Sequence, residues 1–325
     1  MRAGSTPKAV IVGAAAITLA LTAAACGSGS KPGSAPAPST SSSASASASS
    51  PSPSASSSSS SAAGVDSAAA ALVPAALKSK GTITFATDPS YPPNESKDAN
   101  GKIVGWDVDL GTAIAAKLGL KANFTEVTFD DIVTGISTGK YDAGMSSITD
   151  NKKREGVDDF VTYFNAGTKL MVTKGNPKKL TDDTPTDLSL CGLTIGVEKG
   201  TIQETDDIPA RNKACGAAGK KDIKTLSQDS QDQINESLGS GRCDAVLADS
   251  PVVDYYAKSG NFEAVGPLYA GAPYGIAIAK NNALSQAVLA ALKDLVADGT
   301  YHQLTSKYGI QAGDYTTPGL NQAQG

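Results

Sequence analysis

Apolar and polar positions change period repeatedly along the chain after residue 80. Thr82-Ile83-Thr84-Phe85-Ala86-Thr87 has the β-branched and aromatic content of a strand, and the turn-rich Asp88-Pro89-Ser90-Tyr91-Pro92-Pro93-Asn94 closes it. Leu110, Ile114 and Leu118 recur at helical spacing and Gly119 follows, which predicts an amphipathic helix with a glycine stop. Further strand-like runs fall at 122–127, 170–173, 193–197, 245–248 and 274–279. Helical patterns fall at about 129–138, 202–211, 229–239 and 284–298, the last with Leu284, Val288, Leu292 and either Leu295 or Val296 on one face. Strands alternating with helices predict an α/β fold of βαβ units, with mainly parallel sheets covered on both faces.

Ligand sites in such sheets lie at the carboxyl ends of the strands, so the residues just after each strand carry the information. These are Asp88 to Tyr91, Ser146 to Thr149, Glu198 to Thr201, and Asp249 with Ser250. The set is rich in hydroxyls and carboxylates. His302 is the only histidine in the chain, which argues against a histidine-built metal site, and no metal or other cofactor is expected.

The first 64 residues differ in kind. Arg2 and Lys8 precede the charge-free run Ala9 to Ala25, the pattern of an export signal. Leu21-Thr22-Ala23-Ala24-Ala25-Cys26-Gly27 resembles a bacterial lipobox, with Ala23 where Leu is usual. The resemblance implies diacylation of Cys26, and two acyl chains hold a protein on a membrane durably. Residues 27–64 contain 19 Ser and five Pro and no apolar side chain larger than Ala. They are read as a flexible tether, continued by a lead-in to residue 80, because so little apolar surface cannot offset ordering entropy.

Of the 28 Lys and Arg, only Arg2, Lys8 and Lys31 lie in this segment, which holds none of the 32 acids. The body therefore carries a net charge of −7 with no basic block longer than Lys152-Lys153-Arg154, a poor nucleic-acid binder. After Cys26 three cysteines remain, an odd number that allows one disulfide and a leftover thiol. Cys191 opens a strand-like run and Cys215 sits in a polar stretch, so both are placed near the surface and paired. Cys243 adjoins the apolar Ala245-Val246-Leu247 and is read as a small buried hydrophobe.

Gly105-Trp106-Asp107-Val108-Asp109-Leu110 with Ile114 resembles the signature of the bacterial extracellular solute-binding proteins, family 3, with Trp106 where Phe is commoner. Phe85-Ala86-Thr87-Asp88, Lys140-Tyr141-Asp142-Ala143, Thr149 with Arg154 and Phe160, Gly196-Val197-Glu198-Lys199-Gly200-Thr201, Gly241-Arg242-Cys243-Asp244-Ala245-Val246-Leu247 with Asp249, and Tyr274-Gly275-Ile276-Ala277 extend the likeness from about residue 80 to 311. The resemblance implies a type II periplasmic-binding-protein-like fold of two lobes with the ligand cleft between them. The first lobe would be 81–167 plus 270–313, the second 168–269, and 314–325 a flexible tail. It further implies a monomeric amino-acid receptor on the extracellular side of the cell membrane, serving an ABC permease.

The roles follow the same resemblance and the chemistry of a zwitterion. Arg154 aligns with the family's carboxylate-binding arginine, and a guanidinium meets a carboxylate through two parallel hydrogen bonds. Lys152 and Lys153 are read as a solvated run, with Lys152 the alternative should the alignment slip by one. Thr149 would give an N–H and a hydroxyl, and Ser147 a carbonyl. Thr201 and Ile202 would aim a helix N-terminus at the ligand carboxylate. Asp249 matches the acid that takes the α-ammonium, its alternative being a helix cap. Asp88, Tyr91, Phe129 and Glu198 would meet the side chain; two acids and two aromatics favour a basic or amide-bearing one.

Two enzyme readings compete. Gly135-Ile136-Ser137-Thr138-Gly139 matches G-x-S-x-G, and Ser137, later aspartates and His302 follow hydrolase order, but a nucleophile elbow needs a strand before the serine, whereas 129–136 reads as helix. A cyclohexadienyl dehydratase shares the implied fold, yet its dicarboxylate substrate suits Asp88 and Glu198 badly. A sensing co-receptor without a permease is a third reading.

Overall fold

The computed structural model describes residues 64–182 and 187–323. The export signal, Cys26 and the tether as far as residue 63 lie outside them. The described chain opens with α1 (Ser67–Leu72) and α2 (Ala75–Lys80), followed by β1 (Thr82–Thr87), the small hairpin β2 (Ser96–Lys97) and β3 (Ile103–Val104), and α3 (Trp106–Lys117). Then come β4 (Lys121–Glu126), α4 (Phe129–Ser137), β5 (Ala143–Gly144), α5 (Lys152–Glu155) and the long β6 (Asp158–Thr173). β7 (Thr194–Glu198), a π-turn at Gln203–Asp207, α6 (Ile208–Ala217), β8 (Lys224–Gln228), α7 (Gln231–Gly239), β9 (Ala245–Asp249) and α8 (Ser250–Ala257) follow. The described chain continues with the long β10 (Phe262–Ala279), α9 (Leu284–Ala297) and α10 (Thr300–Tyr308).

Eight strands form one mixed sheet in the order β4-β1-β5-β10-β6-β9-β7-β8. Pairing is parallel for β1 with β4 and β5, and for β7 with β8 and β9; it is antiparallel wherever β6 or β10 takes part. β6 and β10 run through the whole molecule. Their outer stretches 158–166 and 272–279 pair in one lobe, 168–173 and 262–265 in the other, and the register shifts between Val265 and Tyr269 and again between Tyr269 and Ala272. Gly167 sits at this crossing; an added Cβ would fall 2.5 Å from the Tyr269 carbonyl.

Each lobe has its own core. Ile83, Phe85, Trp106, Leu110, Ile114, Phe164 and the stripe Leu284, Val288, Leu292 and Leu295 of α9 fill the first. Ile195, Val197, Ile208, Leu170 and Leu247 fill the second. Cys191 and Cys215 form a disulfide with Cα atoms 5.7 Å apart, and Cys243 is free and buried. The expectation that Cys215 lies near the surface fails: α6 turns it into the second core, where it is 1% exposed.

Two expectations about the flanks also need correction. Residues 67–80 are not tether-like, because Ala69, Val73 and Leu77 recur every four residues and bury against the first core. Residues 314–323 are not a loose tail: Thr162 N–H donates to Gly319 O at 2.9 Å, Asn321 N–H donates to Phe160 O at 2.8 Å, and Leu320 packs on the first core. A polar sequence is held there by backbone hydrogen bonds, which leave no hydrophobic period to read.

Candidate functional site

All ten residues expected at a ligand site line one tightly closed pocket between the lobes, with a cavity volume of about 10 Å³: Asp88, Tyr91, Phe129, Ser147, Thr149, Arg154, Glu198, Thr201, Ile202 and Asp249. Strand ends deliver them. Asp88 follows β1, Ser147 and Thr149 follow β5, Glu198 ends β7 and Asp249 ends β9. Phe129 opens α4, and Arg154 lies in α5, whose cap Asn151 accepts the Arg154 N–H at 2.8 Å.

The lobes meet around this pocket. Arg154 Nη1 donates to Thr149 O at 2.7 Å within the first lobe, and Nη2 donates to Gly200 O at 2.9 Å in the second. Its guanidinium lies 5.5 Å from the Phe129 ring centroid. Burial lowers its pKa to about 10, against the opposing charges of Asp249, Asp206 and Asp150. Gly200 has φ +79°, and a Cβ there would stand 2.7 Å from Asp130 Cβ, so only glycine permits this approach. Beside it Lys199 bridges to Asp130 at 2.8 Å.

Asp249 is held by side chains from several elements. Tyr274 Oη donates to its Oδ2 at 2.8 Å and Gln203 Nε2 to its Oδ1 at 2.7 Å, while the Asp249 N–H donates to Tyr91 Oη at 3.0 Å. Burial still lifts its pKa to about 6. The alternative reading as a side-chain helix cap has no hydrogen bond to support it: Asp249 is the residue before α8, but its carboxyl caps nothing there.

Asp88 and Glu198 are directed at one another from opposite lobes. Asp88 Oδ2 accepts the Phe129 N–H at 3.1 Å, and burial raises the Asp88 pKa to about 6. Glu198, 2% exposed, is driven well above the usual carboxylate range, first by burial and then by the charge of Asp88, with which it shares a hydrogen bond. Neither nearby lysine relieves it, since Lys199 pairs with Asp130 and Lys169 with Asp254. Lys152 is exposed and pairs with Glu155, outside the pocket lining.

Glu95, Ser146 and Gln203 also line the pocket. Ser146 belongs to the strand-end set but had no role assigned. Its hydroxyl donates to Glu95 Oε1 at 2.8 Å and accepts the Asp88 N–H at 2.9 Å. Burial and the Asp107 charge push Glu95 well above the usual carboxylate range. Glu95 sits in a loop with no periodic signal, and Gln203 enters the site through a π-turn, a local widening that sequence spacing does not reveal. Ser137 lies at the end of α4 and donates to Thr134 O, so no strand precedes it and the nucleophile elbow is absent there. His302, on α10, pairs with Asp314 at 2.6 Å.

The model of the bacterial extracellular solute-binding proteins, family 3, matches residues 83–311. The chain belongs to that family. Across 247 residues it is 37% identical to the arginine-binding protein ArgT of Corynebacterium glutamicum, covering 75% of this chain and 79% of ArgT. An ancestral arginine-binding protein bound to arginine is 34% identical with a TM-score of 0.63, over 70% of this chain and 98% of that one. An ancestral amino-acid-binding protein that is a precursor of cyclohexadienyl dehydratase is 33% identical with a TM-score of 0.64, over 72% and 97%. This family-3 chain is thus a solute-binding protein of two-lobe type II fold. No helix of its described residues is long and apolar enough to cross a membrane.

Proposed function

We propose that this family-3 protein is a non-catalytic extracellular receptor, held on the cell membrane through diacylated Cys26, that captures a basic or amide-bearing amino acid and passes it to an ABC permease. The observation that carries the ligand class is the Asp88 and Glu198 pair. Two buried carboxyls facing each other with no lysine between them form a site whose second ionisation is held back until a cation arrives. The main-chain end of the ligand would take Arg154 against its carboxylate and Asp249 against its ammonium, displacing the carbonyl partners that Arg154 now holds. Thr149, Ser147, Thr201 and Ile202 would complete that end, and Tyr91 and Phe129 the alkyl stem. ArgT and the arginine-bound ancestor favour arginine within this class. One chain lines the whole cleft, which supports action as a monomer.

Lobe closure would couple capture to delivery, because a ligand touching both lobes binds the closed form better. The test is calorimetric titration of protein unfolded and refolded to strip bound ligand. Arginine, lysine, ornithine, histidine or glutamine should bind, and glutamate and prephenate should not. Tighter binding of glutamate than of arginine overturns the ligand class, and prephenate turnover overturns the non-catalytic reading. Fatty-acid labelling lost in Cys26→Ala tests the anchor.

A further inference from the structure

α5, the single turn that carries Arg154, has no buried residue. A four-residue helix does not persist on its own, and without apolar burial its position depends on hydrogen bonds. Some come from its own surroundings: Asp150 N–H donates to Pro273 O at 2.8 Å and Lys280 Nζ to Glu155 O at 2.6 Å. Two more come from residues 322 and 323. Gln322 N–H donates to Asp150 Oδ2 at 2.8 Å, and Ala323 N–H donates to Glu155 Oε1 at 2.9 Å. These two carboxylates flank α5 on either side, one before the capping Asn151 and one at its last residue.

The segment that supplies these donors is itself fixed. Phe160 N–H donates to Asn321 Oδ1 at 2.8 Å, Asn321 Nδ2 donates to Asp159 Oδ1 at 3.0 Å, and Gly319 N–H donates to Thr162 Oγ1 at 3.0 Å. Gly319 to Ala323 therefore runs as a strap from β6 to both shoulders of α5.

We infer that residues 319–323 are a positioning element of the ligand site, whose two N–H donors hold α5 so that Arg154 points into the cleft. This rests on the reading of Arg154 as the clamp for the ligand carboxylate. Gln322→Pro and Ala323→Pro each delete one donor, while Ala323→Gly removes only a methyl group and keeps both N–H donors. The probes are L-arginine and agmatine, the same molecule without its carboxylate.

The double proline variant should bind L-arginine about tenfold more weakly while agmatine changes less than about twofold, and Ala323→Gly should keep the full preference for arginine. Equal losses for both probes, or none, overturn the inference. Hydrogen exchange of the unliganded full chain reads the strap without any ligand. Amides of residues 149–156 should exchange about tenfold faster in the double variant, with those of β7 and β9 unchanged. No local change overturns it too. If wild-type protein binds neither probe, the ligand reading fails, and exchange alone judges the strap.

Discussion

The hydroxyl of Tyr91 accepts the backbone N–H of Asp249 at 3.0 Å, joining the turn after β1 to the end of β9 across the cleft. The same aspartate takes hydrogen bonds from Tyr274 and Gln203, so its carboxylate is oriented from several sides before any ligand is considered. Tyr91→Phe removes the acceptor and leaves a buried N–H unpaired. Ligand affinity should fall about fivefold to tenfold, with the unliganded melting temperature lowered by only a few degrees, measured by calorimetry and thermal melts.

Arg154 is the harsher test. Replacing it with Ala removes the one cation of the pocket and leaves Asp249 without its counter-charge. Affinity should drop about 100-fold or more, and Arg154→Lys should recover only part because an ammonium cannot make the paired hydrogen bonds of a guanidinium. A lysine variant that binds like wild type would contradict the bidentate role.

Acidity should act in opposite directions on the empty and the filled protein. Burial raises Asp88 to about 6 from 3.8 and pushes Glu198 well above the usual carboxylate range, so the folded empty protein keeps protons that the unfolded chain releases. The corresponding stability is complete below pH 4 and is lost as pH rises through about 6. A cationic side chain favours the ionised pair, so its affinity should climb over the same window. Melting temperature should therefore fall from pH 4.5 to 7 without ligand, while the rise caused by saturating arginine grows. Glu198→Gln should flatten both trends.

Gly200 sets how far the lobes approach. Ala there must adopt an unfavourable φ and press its methyl on Asp130. Gly200→Ala should weaken ligand binding about tenfold or more, and small-angle scattering with ligand should report a larger radius of gyration than for the wild type. An unchanged affinity would show that the approach is not needed for capture.

The Cys191 and Cys215 disulfide, with a sequence separation of 24, closes the stretch that carries Glu198, Thr201, Ile202 and Gln203, although neither cysteine lines the pocket. Replacing both with Ser should cost about 3 kcal/mol, a loss of about 6 to 12 °C in melting temperature, with affinity within twofold.

What sequence alone could reveal divides along physical lines. The α9 stripe and the strands β1, β7 and β9 were legible because each buries one face or both at a fixed period. The site was legible where strands end, since Asp88, Ser147, Glu198 and Asp249 occupy positions set by topology. The full length of β6 and β10 was not, because Asn165-Ala166-Gly167 and Gly266-Pro267 interrupt them with residues that read as turns, while pairing to each other carries them through. Glu95, Gln203 and the strap share a cause: each is placed by hydrogen bonds between segments distant in sequence.

The placing of β10 between β5 and β6 has a consequence for how the protein comes into being. Residues 168–269 are one uninterrupted stretch that contains every strand of the second core, its shares of β6 and β10 included. The first lobe must wait: its central strand is not made until residue 279, and the strap that steadies Arg154 comes last. A chain emerging from its amino end can thus complete its second lobe while the first is still open, and the binding cleft is finished only once residues 319–323 are in place.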